Sequence, residues 1–472
     1  MDTRRVDVAI IGAGTAGLTA RREAAMLGAS TLLIEGGPYG TTCARVGCMP
    51  SKLLIAAAAA AQHVAHADRF GIRVPPGTRI DGPAVLERVR RERDRFVGFV
   101  LQGVDAIPPA ERLRGHARFA APTTLLVDDH TRVEATAVVL ATGSSPTIPA
   151  SLQRFREHLL LNDDVFELPD LPASLAVIGS GIVGLELGQA LHRLGVRTTI
   201  FSHTDRLGPL TDPEVHAAAG EVLSRELDLR RNVRLTVTHD AAGFLVGWRT
   251  ADGQAGEQRY DAVLCATGRH PNLAGLDLAR AGIEGTPVVD PHTAQCAGLP
   301  IFVAGDVTDY RPVLHEAVDE GAIAGRNAAS YPKVCAYSRR TPLSITFTEP
   351  TIAMLGAAFD SLDPADVEIG SVSYADQGRA RVIGENAGRV RIYARRANGE
   401  LLGAEMFGPR VEHTAHLLAW AVQRRLTVAE ALAMPVYHPV IEEGIRTALR
   451  DLCERVGLPP AQPGDRECGP GA

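Results

Sequence analysis

Two cysteines with four residues between them are the groups best placed for chemistry. They lie in Gly40-Thr41-Thr42-Cys43-Ala44-Arg45-Val46-Gly47-Cys48-Met49-Pro50-Ser51-Lys52. A disulfide closing so short a loop is a poor staple, worth about 2 kcal/mol against nearly 5 for a ~100-residue loop. Redox use explains the spacing better. No second cysteine pair or histidine cluster stands at zinc-like spacing from it, so no metal site is assigned. Pro50 suits the first turn of a helix, and the alanine-rich stretch from Leu53 to Ala61 has high helix propensity. Cys48 should therefore stand at a helix N-terminus, where the dipole favours a thiolate. Far along the chain, Tyr437-His438-Pro439-Val440-Ile441-Glu442-Glu443 offers a histidine with a carboxylate five residues on. On spacing alone, a lone histidine beside proline is more often structural than an acid/base.

Such groups need a scaffold, and the chain repeats one. Ile10-Ile11-Gly12-Ala13-Gly14-Thr15-Ala16-Gly17 returns as Val177-Ile178-Gly179-Ser180-Gly181-Ile182-Val183-Gly184, each copy following an apolar run and opening a helical stretch. Glycines in this pattern permit a tight turn and close backbone approach, so a pyrophosphate can rest on the positive helix N-terminus. After the first copy, the strand from Thr31 to Ile34 ends at Glu35, where a carboxylate accepts hydrogen bonds from an adenosine ribose. Ala141-Thr142-Gly143 and Ala266-Thr267-Gly268 repeat as well, behind the strands Ala137 to Leu140 and Ala262 to Cys265. Apolar Ile301 to Ala304 runs into Gly305-Asp306. Alone, that is a strand meeting a turn; beside a complete dinucleotide fingerprint it resembles the flavin-ribityl motif of two-dinucleotide flavoproteins, which makes Asp306 an expected FAD ligand.

Proline-rich turns at Pro146 to Pro149 and Leu168 to Pro172, then Pro271-Asn272 and Thr341-Pro342, mark boundaries. They give residues 1–149 as a first FAD-binding part, 150–270 as an NAD(P)-binding domain, 271–341 as a return to the FAD/central domain and 342–458 as a C-terminal domain. Short strands in the last part, Ile345 to Phe347 and Arg389 to Tyr393, precede an amphipathic helix from Val411 to Arg424, an α+β pattern. A Pro/Gly-rich tail, 459–472, is expected to be mobile.

Length and composition narrow the class. The 472 residues exceed what one core usually serves, and 45% hydrophobic with 22% charged residues is the balance of a globular protein. A net charge of -6 offers no footprint for nucleic acid or anionic lipid. No segment approaches ~18 uninterrupted apolar residues. Asp7 and the glycines interrupt the N-terminal apolar run, which reads as a first strand and not as a signal peptide. A cytoplasmic protein is expected, in which seven irregularly spaced cysteines form no disulfide framework.

At these motifs, from Val6 to about Val456, the chain resembles the class I pyridine nucleotide-disulfide oxidoreductases, most closely dihydrolipoamide dehydrogenase. The resemblance implies an α/β fold of two nested Rossmann-like dinucleotide-binding domains plus a C-terminal α+β dimerisation domain. It makes Cys43 the interchange thiol and Cys48 the thiol that forms a charge-transfer complex with FAD. His438 becomes the acid/base, presented by the partner subunit of a homodimer and oriented by Glu443. Only Lys52 and Lys333 are lysines among 49 basic residues, so Lys52 stands out. A compact ammonium approaches a flavin ring more closely than a guanidinium does. By resemblance Lys52 lies near flavin N5 and pairs with Glu186. FAD would be held by Gly12, Gly14, Gly17, Glu35, Lys52, Thr142, Gly143, Asp306 and, in support, His315, with Gly268 a further cofactor-binding residue in the NAD(P)-binding part. NAD or NADP would be held by Gly179, Gly181, Gly184, Ser202 and His203. Thr41 departs from the family's usual glycine, and Val440 from its common threonine. His413 and His416 share a helix face and read as surface or interface residues.

The implied reaction converts a dithiol to a disulfide, the client being free lipoamide, a lipoyl domain or another small thiol. The enzymatic rival is a mercuric-reductase-like or other disulfide or metal reductase using NADPH, although Cys453 and Cys468 are separated where mercuric reductases carry adjacent C-terminal cysteines. A rival of another class is a non-catalytic flavin-binding partner or redox sensor subunit. Nucleotide choice has its own signal. At the offset separating Gly12 from Glu35, Gly179 leads to Ser202, so the ribose carboxylate is missing. Relaxed selectivity follows, with His203 and Arg206 adding charge, unless Asp205 replaces the acid.

Overall fold

The computed structural model describes residues 2–458; the tail beyond, with Cys468, lies outside them. Cα packing divides the chain into two compact units. The first comprises Met1–Leu53, Glu87–Thr147 and Gly268–Arg339, the second Leu54–Leu86, Ile148–Thr267 and the chain from Arg340 onward.

In the first unit the apolar runs form a largely parallel sheet. Asp2–Ile11 pairs with Thr31–Glu35 on one side and Thr131–Leu140 on the other, and Ile301–Val303 pairs with Thr131–Leu140. The register aligns Ile11 with Ile34 and with Leu140, and Leu140 with Val303. All four strands therefore end at one edge, where ligands bind open α/β sheets. Burial on both faces explains why these strands read as continuous apolar runs. Two helices, Thr15–Met26 and Leu314–Ser330, pack closely because their facing residues are small. A Cβ at Gly321 would come within 3.0 Å of Ala16 Cα, and one at Gly325 within 2.7 Å of Ala20 Cα.

In the second unit the pattern recurs. Asp228–Arg230, Arg197–Phe201, Ser174–Ile178 and Ala262–Cys265 lie side by side in parallel, with Ile178 opposite Phe201 and Cys265. The helix Ile182–Arg193 follows the glycine turn. After residue 340 comes a five-stranded antiparallel sheet in the spatial order Leu343–Thr346, Thr351–Gly356, Leu401–Gly408, Arg389–Arg395, Val367–Ser373. The helices Val411–Gln423 and Glu443–Val456 share one hydrophobic core with it, centred on Tyr374, Ile392, Met406, Leu418 and Leu449. Gly370 allows the last helix to lie on the sheet, since a Cβ there would meet Leu452 Cβ at 2.6 Å.

The helical stretch Thr42–Ala65 is long and apolar enough to cross a bilayer by length and composition alone. Arg45 and Lys52 interrupt it, so it does not reach the ~18 uninterrupted apolar residues of a span.

Candidate functional site

The cysteine pair sits in the first unit, where a short helix Thr42–Val46 gives way to the 18-residue helix Cys48–Ala65. Cys48 is the first residue of that helix and exposed; Cys43 is half-buried, and both are thiols. Gly47 lets the chain double back between them, because a Cβ would crowd the Thr42 carbonyl oxygen at 3.1 Å and Cys43 Cα at 3.2 Å. Ser51 Oγ donates to the Cys48 carbonyl oxygen at 3.1 Å within the first helical turn.

The pair shares its protons unequally. The hydrogen bond with Cys48 pushes the Cys43 thiol well above the ordinary thiol range, and burial and the Cys48 charge add to this. Lys52 pulls weakly the other way. Two coupled thiols lose protons stepwise as a pair, and Cys48 stands at the positive end of its helix, a place that favours a thiolate.

Thr41 holds this segment in an unusual way. Its φ of 57° and ψ of 147° lie where glycine is at ease and a β-branched residue is strained. Its Oγ1 accepts the Ala44 N–H at 3.3 Å and so caps the helix bearing Cys43. The glycine replaced here is one whose freedom the backbone still uses.

At the carboxyl edge of the first sheet the expected FAD residues come together. A Cβ at Gly12 would collide with the Ala141 carbonyl oxygen, and one at Gly17 with the Gly12 carbonyl oxygen, whereas one at Gly14 would meet nothing within 4 Å. The protein's own packing therefore requires the first and third glycines. The second leaves open a cradle of the kind a pyrophosphate approaches, at the start of the helix Thr15–Met26. Glu35 Oε2 accepts the Ala13 N–H at 2.7 Å and Oε1 the Gly37 N–H at 2.6 Å, which fixes the carboxylate beside this cradle. Thr142 Oγ1 donates to the Asn272 carbonyl oxygen at 2.8 Å, and the Asn272 N–H donates to the Gly143 carbonyl oxygen at 2.9 Å. Gly143 and Gly268 both have positive φ, and the Gly268 carbonyl oxygen accepts the Thr147 N–H at 2.9 Å. His315 is exposed in the first turn of Leu314–Ser330. These donors and this open cradle fit a dinucleotide.

Asp306 has partners that sequence reasoning missed. Ser144 Oγ donates to Asp306 Oδ2 at 2.9 Å and is itself held by Arg269 Nε at 2.8 Å. Ser144 and Arg269 each directly follow one copy of the repeated Ala-Thr-Gly, which is the signal that could have found them. Gly305 N–H donates to buried Glu320 at 2.8 Å, and Arg339 pairs with both Glu316 (2.5 Å) and Glu320 (3.1 Å).

The second unit repeats the glycine geometry. A Cβ at Gly179 would collide with the Ala266 carbonyl oxygen, one at Gly184 with the Gly179 carbonyl oxygen, and one at Gly181 with nothing within 4 Å. Ser202 is buried at the strand end, where its Oγ accepts the Thr204 N–H at 3.3 Å; His203 and Arg206 are exposed. Ser180 Oγ donates to the Arg206 carbonyl oxygen at 2.5 Å, pinning this loop to the glycine turn. Glu186 is only 4% exposed on the helix Ile182–Arg193, and its Oε1 accepts the Phe347 N–H at 2.9 Å.

The histidine is held by a carboxylate. His438 Nδ1 lies 2.8 Å from Glu443 Oε1, and Glu443 Oε2 accepts the Val440 N–H at 3.1 Å. Gln377 Nε2 donates to the Val440 carbonyl oxygen at 2.8 Å and steadies the loop. The His438 side chain is 70% exposed. His413 and His416 lie exposed on Val411–Gln423. Cys453 is buried and donates to the Leu458 carbonyl oxygen at 3.4 Å, which does not suit delivery of a soft metal.

Comparison with known proteins accounts for this arrangement. The pyridine nucleotide-disulphide oxidoreductase family matches residues 6–321, and that family's dimerisation domain matches 343–449. The dihydrolipoyl dehydrogenase of Bacillus subtilis is 30% identical over 458 residues, covering 94% of this chain and 97% of the relative. That of Thermus scotoductus is 30% identical over 459 residues, with the same coverage of each. Among solved structures, LpdA from Mycobacterium tuberculosis superposes with a TM-score of 0.80 at 26% identity, covering 95% of this chain and 99% of that one. The HOCl-induced flavoprotein disulfide reductase RclA from Escherichia coli shares the fold at a TM-score of 0.80 and 21% identity, covering 94% and 99%. The chain therefore belongs to the pyridine nucleotide-disulphide oxidoreductase family, as an FAD-dependent, homodimeric disulfide oxidoreductase that works with NAD(P).

Proposed function

We propose that the chain oxidises a dithiol of the dihydrolipoamide type to its disulfide, with Cys43 and Cys48 as the relay and His438 as the base. The observation that carries this reading is the cysteine pair. The two thiols are hydrogen-bond partners, which raises the Cys43 pKa, and Cys48 stands at a helix N-terminus. The curated relatives named above, similar over nearly their whole length, support it.

The cycle begins from the Cys43–Cys48 disulfide. His438 Nε2 takes the proton of one substrate thiol, while Glu443 holds the ring through Nδ1 and balances the imidazolium charge. The substrate thiolate attacks Cys43 Sγ; the Cys43–Cys48 bond breaks, a mixed disulfide forms and Cys48 leaves as a thiolate. The second substrate thiol attacks its own mixed-disulfide sulfur, closing the product disulfide and releasing Cys43, which takes a proton. The substrate has then lost two electrons and two protons, and the cysteine pair holds the electrons. Bound FAD supplies the two-electron relay from that pair to the nicotinamide.

In this reading Gly12, Gly14, Gly17, Glu35, Thr142, Gly143, Asp306 and His315 hold FAD, Gly268 is a further cofactor-binding residue, and Lys52, with Glu186 as its counter-ion, serves the flavin. Gly179, Gly181, Gly184, Ser202 and His203 hold NAD(P), and the missing carboxylate at Ser202 relaxes the choice between the two nucleotides. The partner subunit supplies the histidine, so each active site is shared across the dimer. A lipoyl domain is a suitable client for such an open histidine, and the cytoplasm, where thiols stay reduced, is a suitable compartment. Steady-state turnover of dihydrolipoamide with NAD+ and with NADP+ tests the proposal. Turnover that Cys43→Ser abolishes is expected. A holoenzyme whose flavin NAD(P)H reduces but which never oxidises the dithiol would contradict it.

A further inference from the structure

The loop after the strand Arg197–Phe201 has one exposed carboxylate, Asp205, and it is already engaged. Arg231 Nη1 lies 2.8 Å from Asp205 Oδ1 and also donates to the Asp205 carbonyl oxygen at 3.2 Å. His216 Nε2 approaches the same carbonyl at 2.7 Å. Arg231 directly follows the strand Asp228–Arg230, whose end lies beside Ser202: Ser202 N–H donates to the Arg230 carbonyl oxygen at 2.9 Å. Its guanidinium rests against Gly220 on the helix Pro213–Leu223, where a Cβ would stand 3.1 Å from Nη2. That helix is firmly placed, because its cap Asp212 is fully buried and takes Tyr393 Oη and Arg391 Nη1 at 2.9 Å each.

The neighbouring arginine is not available. Arg230 donates through Nε and Nη2 to the Asp228 carboxylate and stacks over the Trp248 ring at 4.4 Å. In the Arg231–Asp205 pair Asp205 is 58% exposed, against 43% for Asp228, and an exposed ion pair is weak and readily exchanged. A phosphate monoester carries nearly twice the charge of a carboxylate and offers three acceptor oxygens to the planar guanidinium.

We propose that Arg231, seated on Gly220 and held ready by Asp205, is the cation that binds the 2′-phosphate of NADP(H), with Asp205 as the anion this phosphate displaces. The inference rests on the proposed binding of the pyridine nucleotide at Gly179 to Gly184. It also answers the alternative that Asp205 replaces the missing ribose acid, since a carboxylate clamped by Arg231 neutralises that cation and repels little.

The test is inhibition of NAD(P)H-dependent flavin reduction in the holoenzyme by 2′,5′-ADP, 5′-AMP and inorganic phosphate. In the unmutated enzyme 2′,5′-ADP should bind more tightly than 5′-AMP, and inorganic phosphate should not reproduce the gain. Arg231→Met should weaken 2′,5′-ADP by about 10–100-fold, the size of a lost charge-assisted hydrogen bond, and weaken it more than 5′-AMP. Arg231→Lys should restore part of the loss, and Asp205→Asn should tighten 2′,5′-ADP about 2–5-fold by removing the competitor. If 5′-AMP competes but Arg231→Met moves both inhibitors equally, or Asp205→Asn weakens 2′,5′-ADP, the proposal is overturned. If 5′-AMP does not compete with the nucleotide at all, the site assignment beneath it has failed instead.

Discussion

His438 Nδ1 stands 2.8 Å from Glu443 Oε1, and the other oxygen of that carboxylate is occupied by the Val440 N–H. The ring is thus held through one nitrogen, and in the proposed cycle the other exchanges a proton with substrate. His438→Ala should lower dithiol oxidation by about 10²–10⁴-fold, the usual contribution of a positioned acid/base, while NAD(P)H still reduces the flavin. Glu443→Gln keeps the shape but loses the charge and should cost less. Stopped-flow traces of the two half-reactions separate these outcomes, and near-normal dithiol oxidation in His438→Ala would remove the histidine from the mechanism.

The hydrogen bond between Cys43 and Cys48 makes a prediction about pH. Because that bond, followed by burial and the Cys48 charge, raises the Cys43 pKa, Cys43 keeps its proton as pH rises through the range where an ordinary thiol loses it. Removing the neighbouring thiol in Cys48→Ser should let the Cys43 pKa fall. Iodoacetamide labelling of Cys43, followed by mass spectrometry, should then set in at lower pH than in the reduced unmutated protein. Identical profiles would show that the pair is not coupled.

Thr41 tests whether strain is stored next to the redox pair. A positive φ at a non-glycine residue costs about 1–3 kcal/mol. Glycine in its place brings an entropic cost of about 0.5–1 kcal/mol and loses a few tenths with the cap. At the middle of these ranges relief of the strain outweighs both losses, so Thr41→Gly should stabilise the holoprotein by about 1 kcal/mol. Thr41→Ala, which keeps the strain and loses the cap, should destabilise it. Urea midpoints decide this, and a Thr41→Gly protein less stable than the parent would show that the loop is not strained.

The two-dinucleotide scaffold was legible in the sequence because its demands are local. Glycines that let a turn close, a strand ending at Glu35 and a cysteine pair ahead of Pro50 are each written in adjacent residues. Strand ends were read less well: the strand expected at Ile345 to Phe347 runs from Leu343 to Thr346, since ladder pairing with Thr351–Gly356 sets its limits and hydrophobicity does not. Contacts between distant segments were not legible. Ser144 and Asp306 meet across 162 positions, and Arg231 reaches Asp205 only because the sheet lays Asp228–Arg230 beside Arg197–Phe201. The backbone angle of Thr41 is likewise invisible in a residue name.

The glycine turn allows the fold and the cofactor to be tested separately. Gly14 has ordinary backbone angles and open space where a Cβ would sit, whereas a Cβ at Gly17 would collide with the Gly12 carbonyl oxygen. Gly14→Ala should leave the urea midpoint of the apoprotein unchanged yet weaken FAD binding by about tenfold or more, equivalent to ~1.4 kcal/mol. Gly17→Ala should instead cost about 1–3 kcal/mol of stability, as overpacking does. Flavin fluorescence titration of refolded apoprotein reports the first effect, and unchanged FAD affinity in Gly14→Ala would mean that the cradle is not the pyrophosphate site.

The central claim is that Cys48 is the thiolate facing the flavin while Cys43 faces the substrate. The direct measurement is anaerobic reduction of the yellow holoprotein by two electrons, followed by absorption. A long-wavelength band should appear in the unmutated protein and in Cys43→Ser, where the Cys48 thiolate remains, and should be absent in Cys48→Ser. A band that survives Cys48→Ser and disappears in Cys43→Ser would contradict the assignment of the two sulfurs.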